Sequence, residues 1–246
     1  MDQLVDEDAR QGHGDTAPKD DPARRHATRL TSLLGIAFAL LFLTALALLT
    51  RTPSARSTDQ ELVNFYASGE QRWILISGLY VLPVAAVAFL WFIAAFRQWV
   101  EMSSRTIDQL QATVQMLSGV GFITLAFAAA GAATIVASSV ELANLPVDPT
   151  VARQFPLYSR TLLIIFGMRM AAIFVTTTAK LGHEAQLLPR WFLFASYGVA
   201  AALFLVPTLS VWLVVVFPLW VLALSGIIWF HERSMAQEPA ASVSPL

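Results

Sequence analysis

The sequence predicts an all-α, polytopic transmembrane helical bundle of six spans with a long central third helix. Three observations carry that expectation. Of 246 residues, 56% are hydrophobic and only 13% charged, with a mean hydropathy of +0.60, a composition suited to lipid as the main solvent. Apolar runs recur along residues 30–230, each long enough to cross about 30 Å of hydrocarbon at about 1.5 Å per residue. Charged residues and most prolines gather between the runs.

Residues 1–29 carry Asp2, Asp6, Glu7, Asp8, Asp15, Asp20 and Asp21, with Gly12, Gly14, Pro18 and Pro22. Such a segment cannot bury enough apolar surface to order itself, so a disordered cytoplasmic tail is expected. Arg24, Arg25 and Arg29 abut span 1, about 30–50. Ala45-Leu46-Ala47 resembles a signal-cleavage site, but the long leading segment and the run through Leu49 favour a retained span. In the loop 51–72, Thr58-x-x-Glu61 is a capping box followed by Leu62, Val63, Phe65 and Tyr66, with Gly69 as a stop. It predicts a short amphipathic helix on the membrane surface or over the bundle.

Span 2, about 73–96, opens on Trp73 and contains Pro83; residues 97–105 connect it to the long helix 106–139. That helix would measure roughly 50 Å, so one end must stand in water. Thr106-Ile107-Asp108-Gln109 is a capping box, and Gln111, Thr113 and Gln115 extend the polar end. Its membrane part, about 117–139, is span 3. Ile107, Leu110, Val114, Leu117, Gly121, Thr124, Ala128, Gly131, Ile135 and Ser138 fall at helical spacing. Small residues let helix backbones approach in lipid, so this seam is expected to face the bundle.

In the loop 140–160, Asp148-Pro149 starts a helix that Pro156 is expected to end. Span 4 covers about 161–180, span 5 about 191–206 and span 6 about 211–230, with Pro218 inside. Pro207-Thr208-Leu209-Ser210 is a tight turn, and 231–246 is a short polar tail. With both termini cytoplasmic, ten basic residues lie inside: Arg10, Lys19, Arg24, Arg25, Arg29, Arg97, Arg105, Lys180, Arg190 and Arg233. Five lie outside, namely Arg51, Arg56, Arg72, Arg153 and Arg160, which favours that orientation. The Trp residues at 73, 91, 99, 191, 212, 220 and 229 lie mostly near span ends, as an aromatic belt does.

Several chemistries are excluded or unsupported. The chain has no cysteine and a net charge of −1, which removes thiolate catalysis and argues against a nucleic-acid partner. No nucleotide-binding loop, nucleophile elbow or intramembrane carboxylate pair occurs, so the expectation is no enzyme, no cofactor and no metal. His183-Glu184 and His231-Glu232 sit just past cytoplasmic span ends, where ordinary interfacial residues are expected.

Arg169 is the one charge within a span. A central arginine costs about 2.5–3.5 kcal/mol on insertion scales and stays protonated, so it should face the bundle and find partners. Counting places it about 12 Å from the outer end of span 4. Thr44, Tyr80, Thr134 and Tyr197 fall near that depth, and Glu141 is the nearest carboxylate. Pro83 and Pro218 should free the carbonyls of Leu79 and Val214. These residues are the candidate ligand site, with Thr176 and Lys180 continuing the helical face of Arg169.

Asn64-Phe65-Tyr66, the run Phe89-Leu90-Trp91-Phe92 and Leu188-Pro189-Arg190-Trp191 together resemble a family of six-span membrane proteins of unknown function in high-GC Gram-positive bacteria. The resemblance covers about residues 30–230 and implies no activity, cofactor or catalytic residue. Sparse lysine and abundant arginine and alanine agree with a GC-rich genome. The expectation is therefore a multi-pass protein of a bacterial plasma membrane. It would bind or transport an anionic lipid or small anion at Arg169. Alternatively it is a non-catalytic scaffold, with a homo-oligomer or membrane partner paired along the Ile107–Leu110 seam.

Overall fold

The computed structural model describes residues 22–49, 51–52, 57–103, 108–206 and 210–236. The tail before Asp21, Thr106, Ile107, the 207–209 turn and the last ten residues lie outside the described residues, as do the expectations placed on them. Among the described residues the chain is helical with no strand: α1 Pro22–Leu49, α2 Asp59–Ala67, α3 Arg72–Ile76, α4 Leu82–Ser103, α5 Gln109–Glu141, α6 Pro149–Arg160, α7 Met168–Glu184, α8 Arg190–Leu205 and α9 Val211–Ala236. Two π-helical segments, Ser77–Val81 and Thr161–Gly167, join α3 to α4 and α6 to α7. Five stretches are long and apolar enough to cross a membrane: Thr28–Leu49, Arg72–Ser103, Gln109–Glu141, Pro149–Glu184 and Val211–Phe230. Arg190–Leu205 is apolar but shorter. Such helices are the architecture of a multi-pass membrane protein.

Going round the bundle, neighbours touch in the order α1, α4, α5, α7, α8, α9 and back to α1. The middle is filled by phenylalanines, one from each of five helices: Phe38, Phe89, Phe122, Phe174 and Phe217, all fully buried. Phe89 is the hub, with ring centroids 4.4 Å from Phe38, 5.7 Å from Phe122, 5.0 Å from Phe174 and 5.7 Å from Phe217. Tilted and edge-on rings of this kind add to the packing of helices for which lipid supplies no hydrophobic drive. α8 joins the ring through the stacked pair Phe192 and Trp220, while the Trp220 indole donates to Ser196 Oγ at 2.9 Å. Close approach has a glycine behind it at Gly35, where a Cβ would collide with Ser225 Oγ and the Phe92 ring.

A second, smaller core forms over α3 and the C-terminal end of α5. Leu62 and Tyr66 of α2 and Ala152 of α6 pack on Ile74, Leu75, Val136 and Ala137. The Thr58 capping box predicted from sequence is present: Thr58 Oγ1 accepts from Glu61 N, and Glu61 accepts from Thr58 N at 2.9 Å. Arg153 ties the two cap helices together, bonding Asp59 at 2.6 Å and donating to the Ser57 carbonyl at 2.7 Å. Burial pushes the Tyr66 phenol above its ordinary pKa.

Several expectations are corrected. α1 begins at Pro22, inside the segment expected to be a disordered tail. Asp108 caps α5, its carboxylate accepting from Leu110 N at 3.0 Å and Gln111 N at 3.3 Å. The Gln111 side chain, bonding the same carboxylate, is the largest cause holding its pKa below the usual carboxylate value. Pro156 does not end α6; it lies inside a helix that continues through the π segment into α7.

The predicted seam of α5 faces outward. Leu110, Leu117, Thr124, Ala128, Gly131 and Ile135 are exposed, while the opposite face, including Ala126, Ala129, Ala130 and Ala133, is buried. Alanine on that face allows the same close approach as the seam's glycines, so the smallness of the seam did not single it out. Gln115, expected in water, is also buried, on the face turned toward α7. Nor is α5 central, given that exposed stripe. The most enclosed helix is α7, which has no exposed residue between Gly167 and Ala179.

Candidate functional site

Arg169 therefore sits on the most enclosed helix, and it is itself only half-buried. A helical side chain leans toward the N-terminus of its helix, which for α7 is the π segment. The guanidinium follows that lean and its Nη1 donates to the Ile165 carbonyl, one turn back and inside the π segment. Its Cζ lies 5.9 Å from the centroid of the Phe204 ring on α8, within cation–π reach. Among the described residues no carboxylate lies within ion-pair distance of it.

Below Phe204, α7 and α8 diverge into an open furrow of about 380 Å³. Ala172, Ile173, Ala201 and Leu205 give it apolar walls, and Thr176, Thr177 and Tyr197 also border it. The two threonines are already bonded within α7, Thr176 to the Ala172 carbonyl at 2.9 Å and Thr177 to the Ile173 carbonyl at 2.8 Å. The furrow is thus apolar in effect, with one cation above it.

α8 is short at its C-terminal end as well as overall. Ser196 meets Trp220, which places the phenylalanine layer on α8 near Val199. Counted at about 1.5 Å per residue from that layer, the C-terminal end of α8 and the N-terminal end of α9 lie about 9 Å away. α1 reaches about 16 Å and the α3–α4 junction about 18 Å on the same count. Arg169 lies about 7 Å from the layer, close to the top of the α8–α9 pair. The helix ends on this side are therefore stepped, lowest at α8 and α9. A small recess of about 50 Å³ opens above that step, between Val211 and Val214 of α9 and Arg160, Ser159 and Thr52.

Of the six residues expected at one site, Tyr197 borders the furrow and Arg169 reaches it only through the Phe204 ring. The other four are elsewhere. Glu141 accepts from Arg72 Nε at 3.0 Å and from Gln71 Nε2 at 3.2 Å on the capped side. Thr44 is exposed on α1 and donates to the Leu40 carbonyl at 2.8 Å. Thr134 is buried against Gly78 and donates to the Ala130 carbonyl at 3.0 Å. Tyr80 is 66% exposed, in the π segment beside Pro83. The carbonyl that Arg169 takes belongs to its own helix, not to Leu79 or Val214 as expected. Counted from the phenylalanine layer these residues do not share one depth: Arg169 stands about 7 Å, Thr44 about 9 Å, Tyr80 about 13 Å and Thr134 about 18 Å to one side, and Tyr197 about 3 Å to the other.

Phe204 and the π segment at Thr161–Gly167 were missed. A π turn has no residue signature, although such turns recur at functional sites. The spacing of Pro189 and Pro207 could have shown that α8 is short. His183 Nδ1 lies 3.1 Å from the Leu188 carbonyl, and the side chain of His231 lies outside the described residues. Among the described residues no group of three metal-binding side chains gathers. No protein-family model, no curated protein and no solved structure matches the chain.

Proposed function

We propose that this is a six-span protein of a bacterial plasma membrane, both termini cytoplasmic, that binds or transports an anionic or lipid-like ligand at Arg169. It is a binding protein in this reading, not an enzyme. α8 is its short fifth span, and the long third helix α5 is its longest uninterrupted helix. The observation that carries the reading is the way Arg169 is held. A guanidinium has five N–H donors, and here one carbonyl and one ring face answer it at the edge of an open furrow. An intramembrane cation so sparsely partnered is suited to an anion supplied from outside the chain.

The test is the melting point of the purified protein and of Arg169→Leu, each with a panel of anionic lipids and soluble phosphates. A ligand that binds only the folded state at a hundred times its Kd adds about 2.7 kcal/mol of stability. Stabilisation of the parent and none of the variant, with the bare variant no weaker, supports an Arg169 ligand site. A variant that is much weaker with or without ligand makes Arg169 a bundle-holding residue instead. The orientation is tested separately: Ser57→Cys should label from outside the cell and Ser104→Cys should not, and the reverse would overturn it.

A second reading has its own observation. The outward stripe of α5, from Leu110 to Ile135, suits a non-catalytic interaction subunit that pairs along this helix. It expects oligomers in mild detergent that Leu110→Ser with Leu117→Ser disperses; unchanged size counts against it.

A further inference from the structure

We infer that the ligand is an anionic phospholipid of the outer leaflet, its phosphate at Arg169 and one acyl chain lying along the furrow between α7 and α8. The inference rests on the reading of Arg169 as an anion site and names the class of anion.

Three features favour a lipid over a free anion. A small anion at Arg169 would be stripped of water and would meet one guanidinium, because Thr176 and Thr177 are bonded within their own helix and Tyr197, with its hydroxyl, lies about 10 Å further along α8 than Phe204. Sites that hold free oxyanions converge several donors, and a desolvated charge answered by one is costly. A lipid needs only the one ion pair at its head, since its chain supplies the rest by covering Ala172, Ile173, Ala201 and Leu205. The furrow also runs in the right direction. Arg169 stands beyond the Phe204 ring at one end of it, and the furrow runs from there along α8 toward Tyr197 and Thr176, into the hydrocarbon.

The step in the helix ends answers the remaining difficulty, which is depth. A phospholipid headgroup does not ordinarily sit several ångströms inside the hydrocarbon. Here α8 and α9 end about as far out as Arg169 itself. A span too short for the bilayer thins it locally. Headgroups beside this pair are thereby lowered toward Arg169, whose side chain leans outward to Ile165 to meet them. A lipid seated there lies deeper than its neighbours in the leaflet, with its chain reaching toward the inner half.

The experiment compares three compounds and three variants by melting in a neutral maltoside detergent. The compounds are dioleoylphosphatidylglycerol, dioleoylphosphatidylcholine and glycerol 3-phosphate. The variants are Arg169→Leu, Ala201→Trp, which fills the furrow from an exposed position, and Ala128→Trp, which adds the same bulk on an exposed face of α5. Phosphatidylglycerol should raise the melting point of the parent and of Ala128→Trp alike. Ala201→Trp should need at least tenfold more of it for the same shift, and Arg169→Leu should not respond. Phosphatidylcholine and glycerol 3-phosphate should give little. If glycerol 3-phosphate stabilises through Arg169 as well as the lipid does, or Ala201→Trp responds like the parent, the lipid inference is overturned while the anion site stands. Equal shifts from phosphatidylcholine and phosphatidylglycerol also overturn it. If no response depends on Arg169, the proposed function falls with it.

Discussion

At the end of the bundle where α1, α5 and α8 finish, the structure is built up over α3 and α5 and cut down over α8 and α9. On the built-up side two helices form a lid with its own core, and charges are answered within the chain. Glu141 holds Arg72 and Gln71, and Arg153 holds Asp59 and the Ser57 carbonyl. On the low side Arg169 has no carboxylate among the described residues and stands over an open furrow. The difference locates the two roles a charge can have at a membrane face. Where water reaches, pairing is cheap and charges tie loops together. Where lipid reaches, an unpaired cation is expensive, which is why Arg169 carries the proposed site.

The largest effect should come from breaking the lid. Leu62 is 2% exposed at the centre of its core, and Leu62→Ala should lose about 2–5 kcal/mol there. Limited proteolysis between α1 and α3 should accelerate accordingly. The lipid response through Arg169 should survive, because the lid does not touch the furrow. If that response vanishes with the lid, the two sides are coupled and the comparison fails.

Next in size is a change that makes the low side resemble the lid. Phe204→Glu places a carboxylate beside Arg169, as Glu141 lies beside Arg72. The internal partner should displace the external one, so phosphatidylglycerol should no longer raise the melting point. Up to about 2.7 kcal/mol is at stake at a hundred times Kd. A response that persists at full size would show that Arg169 is not the attachment point.

How much of this was legible in the sequence depends on what competes with each signal. The apolar runs were legible because lipid tolerates nothing else for about twenty residues. The Thr58 and Asp148 caps were legible because a cap is settled within four residues of chain. The buried face of α5 was not. Soluble helices contrast an oily face with a polar one, but in lipid both faces are oily. Gly121 and Gly131 on one side and Ala126 and Ala130 on the other are equally small. Pro156 misled because it costs a helix the bond to the Ala152 carbonyl without having to end it. Arg169 was legible as an anomaly from one letter. Its partner Phe204 was not, since that contact follows from where α8 stops relative to α7.

A smaller effect separates the sides by pH. Burial raises the Tyr66 pKa above its ordinary value near 10. The folded lid thus keeps the phenol neutral after the unfolded chain has begun to ionise. The lid's stability should be intact below about pH 10 and should fall as the pH climbs toward the raised value. Tyr66→Phe should remove that fall. The check is lid proteolysis from pH 8 to 11 in both proteins, and matching profiles would exclude Tyr66 as its source.

The smallest effect concerns Glu141, and it tests what the pairing on the built-up side is worth. Arg72 is 69% exposed and the Glu141 side chain 31%, so solvent screens the pair and Glu141→Gln should cost less than about 1 kcal/mol. The amide can still accept from Gln71 Nε2, which limits the loss further. The lid therefore rests on Leu62, Tyr66 and their apolar neighbours, and its ion pairs set the register of α3 against α5. Salt should have little influence on the parent for the same reason. A loss as large as that of Leu62→Ala would reverse this ranking. Electrostatics would then dominate both sides of this end of the bundle, and Arg169 would differ from the lid's charges only in lacking a partner of its own.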